Sequence, residues 1–89
     1  MKFVAEINVM PKKELLDPQG KAVKMGLKHL HIDNVKDVRI GKHIVLTLEA
    51  ASSQEAREIV DNACQKLLAN VIMEDYSFEI RELQESLKQ

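Results

Sequence analysis

The side chains most able to ligate a metal or act as nucleophiles in this 89-residue sequence are His29, His31, His43 and Cys64. A zinc site needs several such ligands to converge, usually at i,i+4 on a helix or as CxxC pairs. His29 and His31 lie two apart near the end of a helical stretch, where they diverge, and Cys64 has no second cysteine. The histidines read instead as residues that cap a helix end and cover surface. Cys64 falls beside an apolar helical stripe, the setting of a small core residue rather than a reactive thiol. No Ser/His/Asp set is signalled, and no Walker or GxGxxG loop offers a phosphate cradle. Gly41-Lys42 could contact an anion, but the pair is equally an ordinary turn. The sequence is thus expected to hold no catalytic residue and no metal site.

RNA recognition by a sheet needs aromatic side chains on its middle strands, where bases can stack. Phe3 stands alone at one end, and no aromatic lies between Val35 and Glu49. The formal net charge of −1 also argues against a nucleic-acid partner.

The stretch from Leu15 to Lys21 concentrates the backbone signals. Asp17 is placed to accept hydrogen bonds from free amides at a helix start, as an N-cap. Pro18 then occupies a position where a missing N–H is harmless, and Gln19 continues the turn. Gly20 is unusual there, because glycine weakens a helix by about 0.8–1.0 kcal/mol relative to alanine. Its acceptance points to close approach of another backbone or a ligand, unless it is only a glycine tolerated at a helix start. If the close neighbour is a partner, Gly20→Ala would favour the isolated helix while harming assembly.

The elements around this stretch follow from periodicity. Lys2 to Met10 alternates, with Phe3, Ala5, Ile7 and Val9 on one face, as a half-buried strand does. Pro11 ends it. A first helix spans about Pro18 to Leu30 with an apolar stripe of Val23, Gly26, Leu27 and Leu30. Lys21, Lys24 and Lys28 form a ridge opposite. Two strands are expected next, Val35 to Ile40 and His43 to Glu49, joined by a two-residue hairpin at Gly41-Lys42. In that register Ile40 faces His43, Arg39 faces Ile44 and Val38 faces Val45. Ser52 and Glu55 form a capping box for a second helix reaching about Leu68 or Ala69. Its apolar face comprises Ala56, Ile59, Val60, Ala63 and Leu67, and Asn70 is suited to end it in a left-handed conformation. The last strand spans roughly Glu74 to Leu83.

The resulting order is β-α-β-β-α-β, an α+β fold of ferredoxin-like or closely related type with two helices on one face of the sheet. Residues 1–83 are read as one domain, and 84–89 as a frayed polar tail. So short a chain buries a small core, and its 45% hydrophobic residues leave apolar surface for self-association. Residues 1–44 hold nine Lys/Arg against five Asp/Glu, and residues 45–89 hold four against nine. That polarity either drives association or is cancelled when the halves interleave, and the second outcome is the expected one. No run approaches the ~20 apolar residues of a membrane helix. Glu6 interrupts the N-terminus too early for a signal peptide, and one cysteine fits a reducing cytoplasm.

Three segments carry a resemblance: Leu16-Asp17-Pro18-Gln19-Gly20, Val38-Arg39-Ile40-Gly41-Lys42, and Lys66-Leu67-Leu68-Ala69-Asn70, continued by Glu74-Asp75-Tyr76. In this order and spacing, from Lys2 to about Leu83, the chain resembles the PurS family, the small subunit of bacterial phosphoribosylformylglycinamidine synthase. One departure is Val71, where the family usually has proline after the asparagine. The resemblance implies a role in the fourth step of purine synthesis, in a ligase that uses ATP and glutamine-derived ammonia. It implies a non-catalytic subunit that bridges a glutaminase and an ATP-dependent synthetase and assists ammonia transfer. ATP, Mg and glutamine would be used by those partner subunits, with no cofactor on this chain. The expected partner-interface residues are Asp17, Pro18, Gln19, Gly20, Arg39, Gly41, Lys42 and Asn70, in a homo-oligomer, dimer or dimer of dimers. A small-molecule-sensing regulatory domain of the same topology is the alternative.

Overall fold

The computed structural model describes residues 1–84; most of the expected polar tail, residues 85–89, lies outside the described residues. Three strands form one antiparallel sheet in the order β2-β1-β3. They are β1 (Lys2–Pro11), β2 (Lys42–Glu49) and β3 (Glu74–Leu83). Helix α1 (Pro18–His29) lies between β1 and β2, and α2 (Ser53–Ala63) lies between β2 and β3. The chain is α+β.

The alternation in β1 sorts the sheet into two faces. Phe3, Ala5, Ile7 and Val9 are at most 1% exposed, and they are flanked by Ile44, Leu46 and Leu48 on one side and Tyr76, Phe78 and Ile80 on the other. Ala56 and Val60 of α2, with Cys64 just after it, close over the β1–β3 part of this face. The opposite face is mostly polar, with Val4 buried and Val45 exposed on it. There Glu6 meets Arg81 at 3.3 Å and His43 at 3.8 Å, and the His43 ring hydrogen-bonds Asn8 at 2.7 Å.

Helix α2 starts where the capping box places it. Glu55 N–H donates to Ser52 Oγ at 3.1 Å, while Glu55 Oε1 accepts from Ala51 N–H at 2.6 Å. Its end departs from expectation. Cys64–Leu68 is a single π turn, in which Ala69 N–H donates to the Cys64 carbonyl at 2.9 Å. An i→i+5 turn displaces the buried line, so Ala56, Val60 and Cys64 are followed by Ala69. Leu67, expected on the apolar face, is consequently 82% exposed, and Ile59 is also exposed. The helix ends through Ala69 in extended conformation, and Asn70 is not left-handed.

Two further expectations fail around α1. Val35 to Ile40 forms no strand, so the observed order is β-α-β-α-β. Gly41-Lys42 is not a hairpin turn either: Lys42 already pairs with Val9, and the chain before it runs on past the end of β1. A strand exists only with a hydrogen-bonding neighbour, and segment 35–40 has no such strand among the described residues. Nor does α1 share the α2 face. It makes no substantial packing with the sheet, and only Gly20 of the helix is buried. Val23 and Leu30 of the expected core stripe are exposed. The radius of gyration is 17.2 Å, against about 12 Å for a compact chain of this length. Residues 12–41 therefore form an arm that leaves the sheet beside Pro11 and rejoins it at Lys42.

Helix α1 closes within the arm by local hydrogen bonds. Ile32 N–H donates to the Leu27 carbonyl at 2.9 Å and His31 N–H to that of Lys28 at 3.0 Å. This Schellman pair requires a left-handed residue, and His31 supplies it with φ 64°. The structure thus gives His31 the helix-ending role read from the sequence.

Candidate functional site: the root of the arm

Asp17 is the centre of the arm root. One carboxylate oxygen accepts from Gly20 N–H at 3.0 Å and caps α1; the other accepts from Ile40 N–H at 2.9 Å. A single side chain thereby fastens the helix start to the returning chain, 23 residues on. Gly20 is buried because that returning strand of backbone passes directly over it. A Cβ on Gly20 would overlap the Val38 carbonyl oxygen and lie 2.9 Å from Asp17 Oδ2. The close neighbour inferred from the sequence is therefore the protein's own chain.

Further contacts brace the arm internally and hold it to the sheet end. Arg39 donates to the Pro11 carbonyl, and Lys24 Nζ donates to the Lys36 carbonyl at 2.8 Å. Gly41 passes so near β1 that a Cβ would overlap the Val9 carbonyl oxygen and Met10 Sδ. Glycine is used at 41 for this close passage rather than for a turn. Lys42 is exposed, as are Pro18 and Gln19 on the first turn of α1. A shallow cavity lined by Lys13, Leu16, Lys21, Asp37 and Arg39 opens beside Asp17.

Asn70 belongs to the same end of the sheet but to a separate turn. Its carbonyl accepts from Met73 and Glu74 N–H, its side chain accepts from Ile72 N–H, and its own N–H donates to Glu74. Lys12 N–H bonds the Met73 carbonyl, and Lys12 Nζ pairs with Asp75 at 2.9 Å, which ties this turn to the start of the arm. The structure thus gathers Asp17, Gly20, Arg39 and Gly41 at one end of the sheet, the first three held by hydrogen bonds and Gly41 by its close passage to β1. Asn70 stands beside it across β1, and Pro18, Gln19 and Lys42 form exposed rims. The missed participants are backbone groups, the carbonyls of Pro11 and Val38 and the amide of Ile40. A backbone group has no sequence signature; only the glycines that admit it do.

Hydrogen bonds from Gly20 and then Ile40 hold the Asp17 carboxyl below the usual carboxylate range, aided by the Arg39 charge. Its contribution is complete above the unfolded value of about 3.9 and is lost as pH falls through the lower folded value. Acidification below pH ~4 is therefore expected to loosen the arm before the sheet. Amide exchange at Gly20 and Ile40 should accelerate first, and Asp17→Ala should show that fast exchange already at neutral pH. Unchanged protection at both amides in Asp17→Ala would refute the latch.

Other reactive groups stay apart. Cys64 is fully buried, and burial, with Asp61 nearby, pushes its thiol up. Tyr76 donates to Asp61 at 2.6 Å, which orders the α2–β3 contact. Among the described residues no group of three or more His, Cys, Asp or Glu is placed to hold a metal ion.

This fold and site define a small α+β protein with an extended, internally latched arm. Residues 4–82 match the PurS family model, described as phosphoribosylformylglycinamidine (FGAM) synthase. The PurS subunit of that synthase from Synechocystis sp. is 47% identical over 82 residues, 92% of this chain and 82% of that protein. The Bacillus subtilis subunit is 41% identical over 81 residues, 91% of this chain and 95% of that one. A crystal structure of B. subtilis PurS aligns with a TM-score of 0.82 at 41% identity, over 90% of this chain and 99% of that chain. A chain in the structure of PurLQS from Thermotoga maritima aligns with a TM-score of 0.81 at 37% identity, over 93% and 99% of the two chains. The chain belongs to the PurS family of phosphoribosylformylglycinamidine synthase subunits.

Proposed function

We propose that this chain is a non-catalytic subunit of phosphoribosylformylglycinamidine synthase, acting in the cytoplasm in the fourth step of purine synthesis. It self-associates and bridges a glutaminase subunit and an ATP-dependent synthetase subunit, assisting the passage of ammonia between them. ATP, Mg and glutamine are handled by those partners. The observation that carries this reading is the family match over residues 4–82, which spans sheet, arm and both helices. The arm root, with its exposed rim of Pro18, Gln19 and Lys42, supplies a rigid surface for a partner. Among the described residues no helix is long and apolar enough to cross a membrane, which fits a cytoplasmic assembly.

The test is reconstitution with the glutaminase and synthetase subunits. Glutamine-dependent formation of the amidine is expected to fall at least tenfold when this chain is omitted and to return when it is added. Synthetase supplied with free ammonia should work without it, since the proposed role is transfer rather than chemistry. Glutamine-dependent turnover that is equally fast without the chain would overturn the proposal.

A further inference from the structure

The cavity beside Asp17 is walled by three stretches that meet only in the folded arm. They are the turn after β1, the first turns of α1, and segment 37–39 on its return to the sheet. Each brings one cation to the lining: Lys13, Lys21 and Arg39 respectively. Among the described residues none of the three forms an ion pair with a carboxylate. Lys13 and Lys21 are exposed. Arg39 is half-buried and gives one N–H to the Pro11 carbonyl, which fixes its guanidinium and leaves its other donors open.

Two carboxylates share the lining. Asp17 is already engaged at both oxygens, by the Gly20 and Ile40 amides. Its cap also closes the start of α1, so an anion in this cavity meets side chains and not helix amides. Asp37 is exposed, with its acceptors open to the cavity mouth. Leu16 and Val38 add an apolar wall.

We infer that this cavity binds a small phosphate monoester. Lys13, Lys21 and Arg39 hold the phosphate, Asp37 accepts a hydrogen bond from a hydroxyl of the alcohol part, and Leu16 and Val38 cover its carbons. A guanidinium flanked by ammonium groups suits a phosphate, because every oxygen receives a charge-assisted donor. The lining carries three cations against two carboxylates, and a monoester of charge about −1.5 to −2 offsets that excess. A volume of about 320 Å³ stands at the small end of ligand pockets, about 300–1,000 Å³, which suits a phosphorylated triose or pentose rather than a whole nucleotide. Such binding needs no other subunit and is independent of the bridging role proposed above. It also acts on the arm. The ligand spans the stretches that Asp17 fastens, so it favours the closed root over the opened one. Opening becomes rarer by the factor 1 + [L]/Kd, about elevenfold at ten times Kd.

The experiment is an amide NMR titration of the full chain with glycerol 3-phosphate, inorganic phosphate and glycerol. Salt at about 0.15 M screens loose ion condensation. Glycerol 3-phosphate should give saturable shifts confined to residues 13–21 and 37–39, and should slow exchange at Gly20 and Ile40 about tenfold at ten times Kd. Inorganic phosphate should bind the same residues several-fold more weakly, and glycerol should leave the spectrum unchanged. Lys13→Ala and Lys21→Ala should each weaken binding about fivefold or more, whereas Lys28→Ala, on the same helix outside the cavity, should not. The same spectra report whether each variant keeps the fold. Shifts that do not saturate, or that spread to Lys28, would mark an adventitious ion only and overturn the inference. Unchanged affinity in Lys13→Ala or Lys21→Ala would also overturn it. Equal affinity for inorganic phosphate would remove the roles of Asp37 and Leu16, and with them the monoester.

Discussion

Gly20→Ala is expected to destabilise the protein by about 1–3 kcal/mol, the usual range for overpacking a tight site. The added methyl group would meet the Val38 carbonyl, a backbone atom that cannot rotate away. Relief requires moving segment 38–40, which stretches the bond from Ile40 to Asp17 and frees the arm. Helix propensity pulls the other way by about 0.8–1.0 kcal/mol. Gly26→Ala isolates that opposing effect, because nothing lies within 4 Å of a Cβ there. The matched pair should split in sign, Gly20→Ala melting lower and Gly26→Ala at or above the unsubstituted protein. For a domain of this size 1 kcal/mol corresponds to about 4–8 °C in Tm, so thermal scans resolve the difference. A Gly20→Ala variant that melts at or above the unsubstituted protein would show that the arm root gives way freely.

Ile7→Ala carries the larger expected effect, a loss of about 2–5 kcal/mol. Ile7 is fully buried on the central strand, between Ile44 and Phe78. Its neighbours are held by ladders on both sides, so the cavity left by truncation closes poorly. A small domain has about 5–15 kcal/mol in total, and this one substitution removes a large share. Urea unfolding should show a lower midpoint with an unchanged slope. Leu67→Ala is the comparison: at 82% exposure it should change stability by no more than about 0.5 kcal/mol. Similar costs at the two positions would contradict the displacement of the buried line by the π turn.

The sequence by itself determined the elements whose stability is local. Alternation fixed the faces of β1 and β3, because side chains on a strand have a period of two whatever packs on them. Asp17, Pro18, Ser52 and Glu55 marked the helix starts, because capping uses side chains within one turn. Cys64 was legible as core from its stripe, and the three short segments around Asp17, Arg39 and Asn70 were enough to suggest the family. Tertiary structure decided what those elements touch. The π turn at Cys64–Leu68 exposed Leu67 by changing the pitch, which an assumed 3.6-residue period does not anticipate. Gly20 and Gly41 both signalled close approach, but their neighbours are the backbone of Val38 and Val9, which no side-chain pattern encodes. The strand propensity of Val35 to Ile40 was real as a local preference. Whether it became a strand depended on a partner edge, and in the single chain that edge lies out of reach because Gly41 runs straight instead of turning.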